Sequence, residues 1–328
     1  MTEEFLLKFQ DIKPTPIQTD IPNELCQILY TKEYANLMGV TRTLMNNREH
    51  SKRALELTSV VIEIAPAFYT VWNYRYNIIH DMVLQLKDAN QEKVIEFLNK
   101  DLDWLDELTL NNPKNYQIWS YRQAILNLHP KPDFKRDLPI LKIMLHDDTK
   151  NYHVWSYRKW LIDFVKNDSL FDFNIELNFT NIFIDRDIYN NSAWTHRLFV
   201  IKTNPANKNI DFNSKLIQNE IIFTKKNIHL CPQNISSWNY LIALLDWLNN
   251  GKATDDLIEF ASQFVSDFFS NTAILPNIQS SYALEFLADQ YKLDPKRIND
   301  SIKAYKALST KYDPIRTPYW NHLIKGLS

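Results

Sequence analysis

The sequence predicts an all-α fold, a right-handed α-solenoid of about seven helical hairpins, and three observations carry that prediction. Tryptophan recurs at Trp72, Trp119, Trp155, Trp194, Trp238 and Trp320, at steps of 47, 36, 39, 44 and 82 residues. Around most of these the chain repeats one short motif whose Tyr, Trp and Arg fall three apart, so they share a helix face. Glycine is scarce: 3 of 328 residues, Gly39, Gly251 and Gly326, against an average near ~7%. Repeats of this length, with two helices each, build stacks in which every hairpin needs its neighbours to cover its apolar face. Gly costs about 1 kcal/mol in a helix interior, so a chain made of helices avoids it.

The elements follow in order. The first motif, Phe68-Tyr-Thr-Val-Trp72-Asn-Tyr-Arg75, opens a helix after Pro66. The second, Asn115-Tyr-Gln-Ile-Trp119-Ser-Tyr-Arg122, opens one after Pro113. The third, Asn151-Tyr-His-Val-Trp155-Ser-Tyr-Arg158, follows the turn Thr149-Lys150 and the apolar helix containing Ile140–Leu145. Asn115 and Asn151 suit the N-cap, where a side-chain oxygen accepts from an unpaired backbone N–H. Asn190-Asn-Ser-Ala-Trp194-Thr-His-Arg197 is the fourth copy, and Asn234-Ile-Ser-Ser-Trp238-Asn-Tyr-Leu241, after Pro232, is a weaker fifth. The double step to Trp320 predicts a degenerate copy, centred on Tyr282 in Ser280–Leu284, before the last one, Thr317-Pro-Tyr-Trp320-Asn-His. Trp104, Trp160 and Trp247 are out of phase and read as ordinary packing. One domain spanning 1–328 is expected. In it Trp72, Trp119, Trp155 and Trp194 fill seams between hairpins, while Arg75, Arg122, Arg158 and Arg197 stack on aromatics or bond carbonyls of the adjoining unit.

Composition narrows function. No G-x-x-x-x-G-K-[ST] or G-x-G-x-x-G occurs, which excludes nucleotide binding by those loops. A net charge of −2 gives no field toward nucleic acid or membrane. Two cysteines, Cys26 and Cys231, make no disulfide framework and no metal knuckle, and suit a reducing compartment. There is no apolar run long enough to span a membrane and no signal peptide at the start, so a cytoplasmic location is expected. The His residues form no zinc pattern, and no metal site is expected in this chain. Asp147-Asp148 is only partly similar to a magnesium-diphosphate signature and reads as the polar end of a helix.

One edge is chemically suggestive. Lys114 and Lys150 each precede the Asn that opens a motif helix. A helix start offers N–H groups and partial positive charge, and a lysine beside it makes a phosphate site. Stacking in register brings the helix starts at Tyr69, Tyr116, Tyr152 and Asn191 to one edge, with Gln117 and His153. A diphosphate would suit it.

The repeated Asn-Tyr-x-x-Trp-x-x-Arg resembles the repeat of protein prenyltransferase α subunits. Lys114-Asn-Tyr-Gln117 and Lys150-Asn-Tyr-His153 make the chain most similar to the subunit shared by protein farnesyltransferase and type I geranylgeranyltransferase, in its fungal form. The resemblance implies a crescent of hairpins around a β subunit that holds the catalytic zinc. It implies transfer of a farnesyl or geranylgeranyl group from its diphosphate, with magnesium, to the cysteine of a C-terminal CaaX motif. It implies catalytic roles for Lys114 and Tyr152 at the diphosphate, and substrate contacts for Tyr116, Gln117, His153 and Tyr69. Gln117 would meet the peptide carboxylate. Arg122, Asn151 and Trp155 are motif positions. Lys150 is a turn residue. The alternatives are the α subunit of the Rab geranylgeranyltransferase and a non-enzymatic helical-repeat adaptor; a tetratricopeptide array would hold a period near 34 residues, which this chain does not.

Overall fold

The protein, as a computed structural model, is described for residues 5, 7–17, 24–26, 28–87, 90–270 and 275–327. Among them are fifteen α-helices and no strand. After α1 (Lys32–Asn46) the helices pair: α2 (Lys52–Ile64) with α3 (Tyr69–Lys87), α4 (Gln91–Asn111) with α5 (Tyr116–Leu128), α6 (Asp137–Asp147) with α7 (Tyr152–Val165). Next come α8 (Phe173–Arg186) with α9 (Asn191–Thr203), α10 (Lys215–Leu230) with α11 (Ile235–Leu248), α12 (Asp255–Ser262) with α13 (Ser281–Tyr291), and α14 (Ile298–Ala307) with α15 (Thr317–Lys325). The second helix of each pair carries a copy of the motif, without its tryptophan in α13. The chain divides into two compact units, residues 1–158 and 159–328.

The asparagines start the motif helices as expected. Asn115 Oδ1 accepts from Ile118 N at 3.2 Å, and Asn151 Oδ1 accepts from His153 N at 3.0 Å and Val154 N at 3.3 Å. Asn190 and Asn234 cap α9 and α11 in the same way. Their second role was not foreseen. The amide nitrogen of Asn115 donates to Pro66 O at 2.8 Å, in the turn of the preceding hairpin, and the same oxygen takes Trp72 Nε1 at 2.8 Å. In the second unit Asn234 Nδ2 and Trp194 Nε1 converge likewise on Ile188 O, at 2.6 and 2.9 Å. Ser280 Oγ and Trp238 Nε1 do so on Pro232 O, at 2.5 and 2.9 Å. One carbonyl thus receives one donor from its own hairpin and one from the next.

The motif tryptophans are all buried. Trp72 packs on Tyr121 at 5.1 Å and Trp119 on Tyr157 at 4.9 Å between ring centroids; in the second unit Trp194 packs on Tyr240 at 5.3 Å. The degenerate copy differs in register from the expectation. Ser280 caps α13, which puts fully buried Leu284 where the other copies have tryptophan. Tyr282 is two positions early and only half-buried.

The motif arginines do more than stack. Buried Arg75 lies over the Trp104 ring at 4.0 Å and bonds Leu55 O at 3.1 Å, but its main partner is a carboxylate. Nε and Nη2 donate to Asp101 Oδ1 at 3.1 and 2.5 Å, and Tyr121 OH donates to Asp101 Oδ2 at 2.8 Å. The same triad recurs as Arg122, Asp137 and Tyr157, and in the second unit as Arg197, Glu220 and Tyr240. In each, the arginine of one hairpin and the tyrosine of the next share one buried carboxylate. Burial, then the carboxylate, pushes all three tyrosine hydroxyls well above their ordinary range, which keeps them as donors.

Two glycines occupy special sites. A Cβ at Gly39 would lie 2.7 Å from Pro14 Cβ, so the residue lets the segment before α1 lie against it, with Thr15 N donating to Gly39 O at 3.1 Å. Gly251 turns the chain after α11 at φ +73°, a conformation that favours glycine.

Candidate functional site

The site is built on the starts of α3, α5 and α7, all within the first unit. Each helix begins with a tyrosine whose ring faces solvent: Tyr69, Tyr116 and Tyr152 are 70%, 63% and 67% exposed. Such exposure matters because the motif tryptophans and arginines that follow are buried, which leaves the tyrosines open to a ligand or partner. Tyr69, Tyr116 and Gln117 line a groove of 310 Å³ together with Asn73, Tyr76, Ser120 and Ala124, floored by Trp72 and Tyr121. The sequence reading missed Asn73, Tyr76, Ser120 and Ala124. Their signal was helical spacing: Tyr69, Asn73 and Tyr76 share one face of α3, and Gln117, Ser120 and Ala124 one face of α5.

His153 joins the neighbouring helix start. Its ring meets Tyr116 edge-on at 4.2 Å and Tyr152 at 5.7 Å. Burial, and then the positive charge of Lys114, holds the imidazole below its ordinary pKa of 6.5, so it is neutral at pH 7. Lys114 is largely exposed, and its Nζ lies 3.3 Å from Asp148 Oδ2. Asp148 is the residue that follows α6, as the reading of Asp147-Asp148 as a helix end requires, but its pairing with Lys114 was not anticipated. Lys150 stays in the turn, exposed, with its backbone N–H donating to Asp148 Oδ1 at 3.2 Å.

The structure therefore brings Lys114, Tyr116, His153 and Tyr152 together, and Tyr69, Tyr116 and Gln117 together along the groove. Asn191, also exposed, opens α9 in the second unit. Trp72, Arg75, Trp119, Arg122, Asn151, Trp155, Arg158, Trp194 and Arg197 are buried and act as framework. The arrangement can bind an anion through an ammonium group beside a helix start, with phenol and imidazole groups at its rim. A neutral imidazole and tyrosine hydroxyls donate without adding charge. Among the described residues no group of three or more His, Cys, Asp or Glu converges as a metal set would, and no helix is long and apolar enough to cross a membrane.

Comparison with known proteins matches the helix pairs. The family model for the protein prenyltransferase alpha subunit repeat matches residues 51–82, 98–129, 134–165, 173–204 and 217–248, which are the first five helix pairs. The protein farnesyltransferase/geranylgeranyltransferase type-1 subunit alpha of Candida albicans is 41% identical over 98% of this chain and 97% of its own length. The geranylgeranyl transferase type-2 subunit alpha of the same organism is 33% identical over only 29% of this chain and 26% of its own. A solved structure, Candida albicans protein geranylgeranyltransferase-I complexed with GGPP, superposes with a TM-score of 0.76 at 37% identity, covering 97% of this chain and 98% of that one. Full-length likeness in both sequence and helical architecture leaves one conclusion: the chain belongs to the protein prenyltransferase alpha subunit repeat family.

Proposed function

We propose that this chain is the α subunit of a protein farnesyltransferase/type I geranylgeranyltransferase, working as one half of a heterodimer with a prenyltransferase β subunit. The observation that carries the reading is the coincidence of full-length similarity to a type-1 α subunit with a lysine, three exposed tyrosines and a neutral histidine at adjacent helix starts. The substrates are farnesyl or geranylgeranyl diphosphate and a protein ending in a CaaX motif.

Lys114 supplies the cation toward which the leaving diphosphate develops charge. A positioned cation favours the transition state more than the ground state, because negative charge on the departing oxygen grows as the C–O bond breaks. Tyr152 donates a hydroxyl hydrogen bond at the same helix edge. His153, uncharged, places a ring N–H there without competing for the anion as a second cation. Tyr116 and Gln117 orient the peptide end, the Gln117 amide donating to its terminal carboxylate, while Tyr69 lines the far side of the groove. Zinc is assigned to the β subunit and magnesium to the diphosphate. The expected place of action is the cytoplasm.

Reconstitution tests the reading. The chain is co-expressed with each of the CaaX-type β subunits and with the Rab-type β subunit, then supplied with a short CaaX peptide and either diphosphate. Transfer to the free peptide with a CaaX-type partner is expected. Transfer only with the Rab-type partner and its escort protein, or no complex with any β subunit, would overturn it.

A further inference from the structure

We infer that Asp148 is a positioning residue for Lys114, holding its ammonium group toward the start of α7 where the departing diphosphate is met; this rests on the function proposed above.

The two oxygens of Asp148 do different things. Oδ1 accepts the Lys150 backbone N–H at 3.2 Å, which ties the carboxylate to its own turn. Oδ2 is then presented to the neighbouring hairpin, where it lies 3.3 Å from Lys114 Nζ. A lysine at a helix start has a long flexible stem and must give up rotamer freedom to serve one position. A carboxylate already fixed by a backbone bond supplies that restraint.

The turn that carries Lys114 needs it more than its counterparts do. Pro66 O is held by two donors, Trp72 Nε1 and Asn115 Nδ2. The corresponding oxygen of the Lys114 turn, Pro113 O, receives Asn151 Nδ2 at 3.2 Å, while Trp119 Nε1, though buried, finds no acceptor among the described residues. The tether from its own hairpin is therefore unmade on this turn, and the Lys114–Asp148 pair adds a second link to the next hairpin beside the Asn151 bond. Because the pair is open to water, with 73% and 43% of the two side chains exposed, its contribution is modest. It biases where Lys114 spends its time, by about two- to five-fold.

The test uses the chain in complex with its β subunit and measures prenyl transfer in a single turnover. Asp148→Asn keeps an acceptor for Lys150 N–H and removes the charge. It is expected to slow transfer about two- to five-fold with the affinity for the prenyl diphosphate unchanged. In the Lys114→Ala background, itself slow, the same change is expected to do nothing further, because its target is gone. Asp148→Glu, which keeps the charge, should recover most of the rate. A rate for Asp148→Asn equal to or above the parent overturns the inference. So does an equal loss in both backgrounds, which would place the effect in the turn rather than in Lys114. If Lys114→Ala alone runs at the parent rate, the role of Lys114 fails, and both readings fall together; a slow Lys114→Ala with an unaffected Asp148→Asn removes only this one.

Discussion

Asp101→Asn isolates the charge in the first of the buried triads. Asparagine has the same shape. Its oxygen can still take Arg75, whose Nε and Nη2 lie 3.1 and 2.5 Å from Asp101 Oδ1, and its amide can donate to the Tyr121 oxygen, 2.8 Å from Oδ2. What is lost is the counter-charge to a guanidinium that is 5% exposed. Removing one partner of a buried pair costs about 3–5 kcal/mol, because the other charge is left uncompensated. Arg75 keeps Leu55 O, Thr58 Oγ1 and Ser59 Oγ as acceptors, and the Trp104 ring 4.0 Å away. These place the loss at the lower end, about 3 kcal/mol. Urea unfolding read by tryptophan fluorescence is the assay, since Trp72 and Trp104 lie in the same seam. With a slope of about 3 kcal/mol per molar the midpoint falls by about 1 M. Tyr121→Phe, which removes one hydrogen bond to the carboxylate, should cost less, about 1.5–3 kcal/mol. The Tyr121 hydroxyl stays protonated across any ordinary pH, so neither effect should depend on pH between neutral and mildly alkaline buffers. A midpoint shift below about 0.3 M for Asp101→Asn, or a larger loss for Tyr121→Phe, would refute the assignment of the carboxylate as the counter-charge.

Three further outcomes are expected. Lys114→Ala in the reconstituted heterodimer slows prenyl transfer by about 10²–10³ through loss of the cation at the leaving group, with β-subunit binding intact; unchanged single-turnover chemistry refutes it. His153 is held below 6.5 by burial and by Lys114, so folding disfavours its protonation: the stability it contributes is complete above pH 6.5 and is lost as pH falls below that value. In an NMR titration Lys114→Met should therefore raise the His153 midpoint, and an unmoved midpoint would contradict the placement of the lysine. Asn115→Ala removes an N-cap worth about 1 kcal/mol and a hydrogen bond to Pro66 O worth about another; a total loss near 2 kcal/mol is expected by urea titration, and a loss below about 0.5 kcal/mol would show that the contact with the preceding turn contributes nothing.

What could be read in advance was whatever one helix contains. Trp119 and Arg122 lie three apart, so their common face and the cap at Asn115 were legible from spacing. The carboxylates were not. Asp101, Asp137 and Glu220 sit 26, 15 and 23 residues after their arginines, at separations set by loop length, so no fixed spacing marks them. Trp104 looked out of phase for the same reason: it belongs to the first helix of its pair and reaches Arg75 across the seam. At the site, Lys114 and Tyr116 were visible because they flank a cap. Asp148 was visible only as a helix end, because its partner lies 34 residues earlier, a distance that becomes 3.3 Å only when two hairpins stack. The copy without tryptophan was located to within two residues. Its register depended on knowing that Ser280, rather than a neighbouring residue, caps α13 by accepting the Ala283 N–H.

The shared carbonyl acceptors have a consequence for how the chain comes together. Asn115 begins its helix with one end of its amide and grips Pro66 with the other, and Asn234 does the same toward Ile188. Nucleating a helix and docking it on the previous hairpin are thus one event, performed by one side chain. A hairpin released without its predecessor loses its best starting orientation at the moment it most needs it, since the first turn is the costly step of helix formation. Growth from an already formed hairpin then meets a lower barrier than an independent start, and cuts between hairpins should leave downstream fragments that fold far less readily than their sequence propensities would suggest.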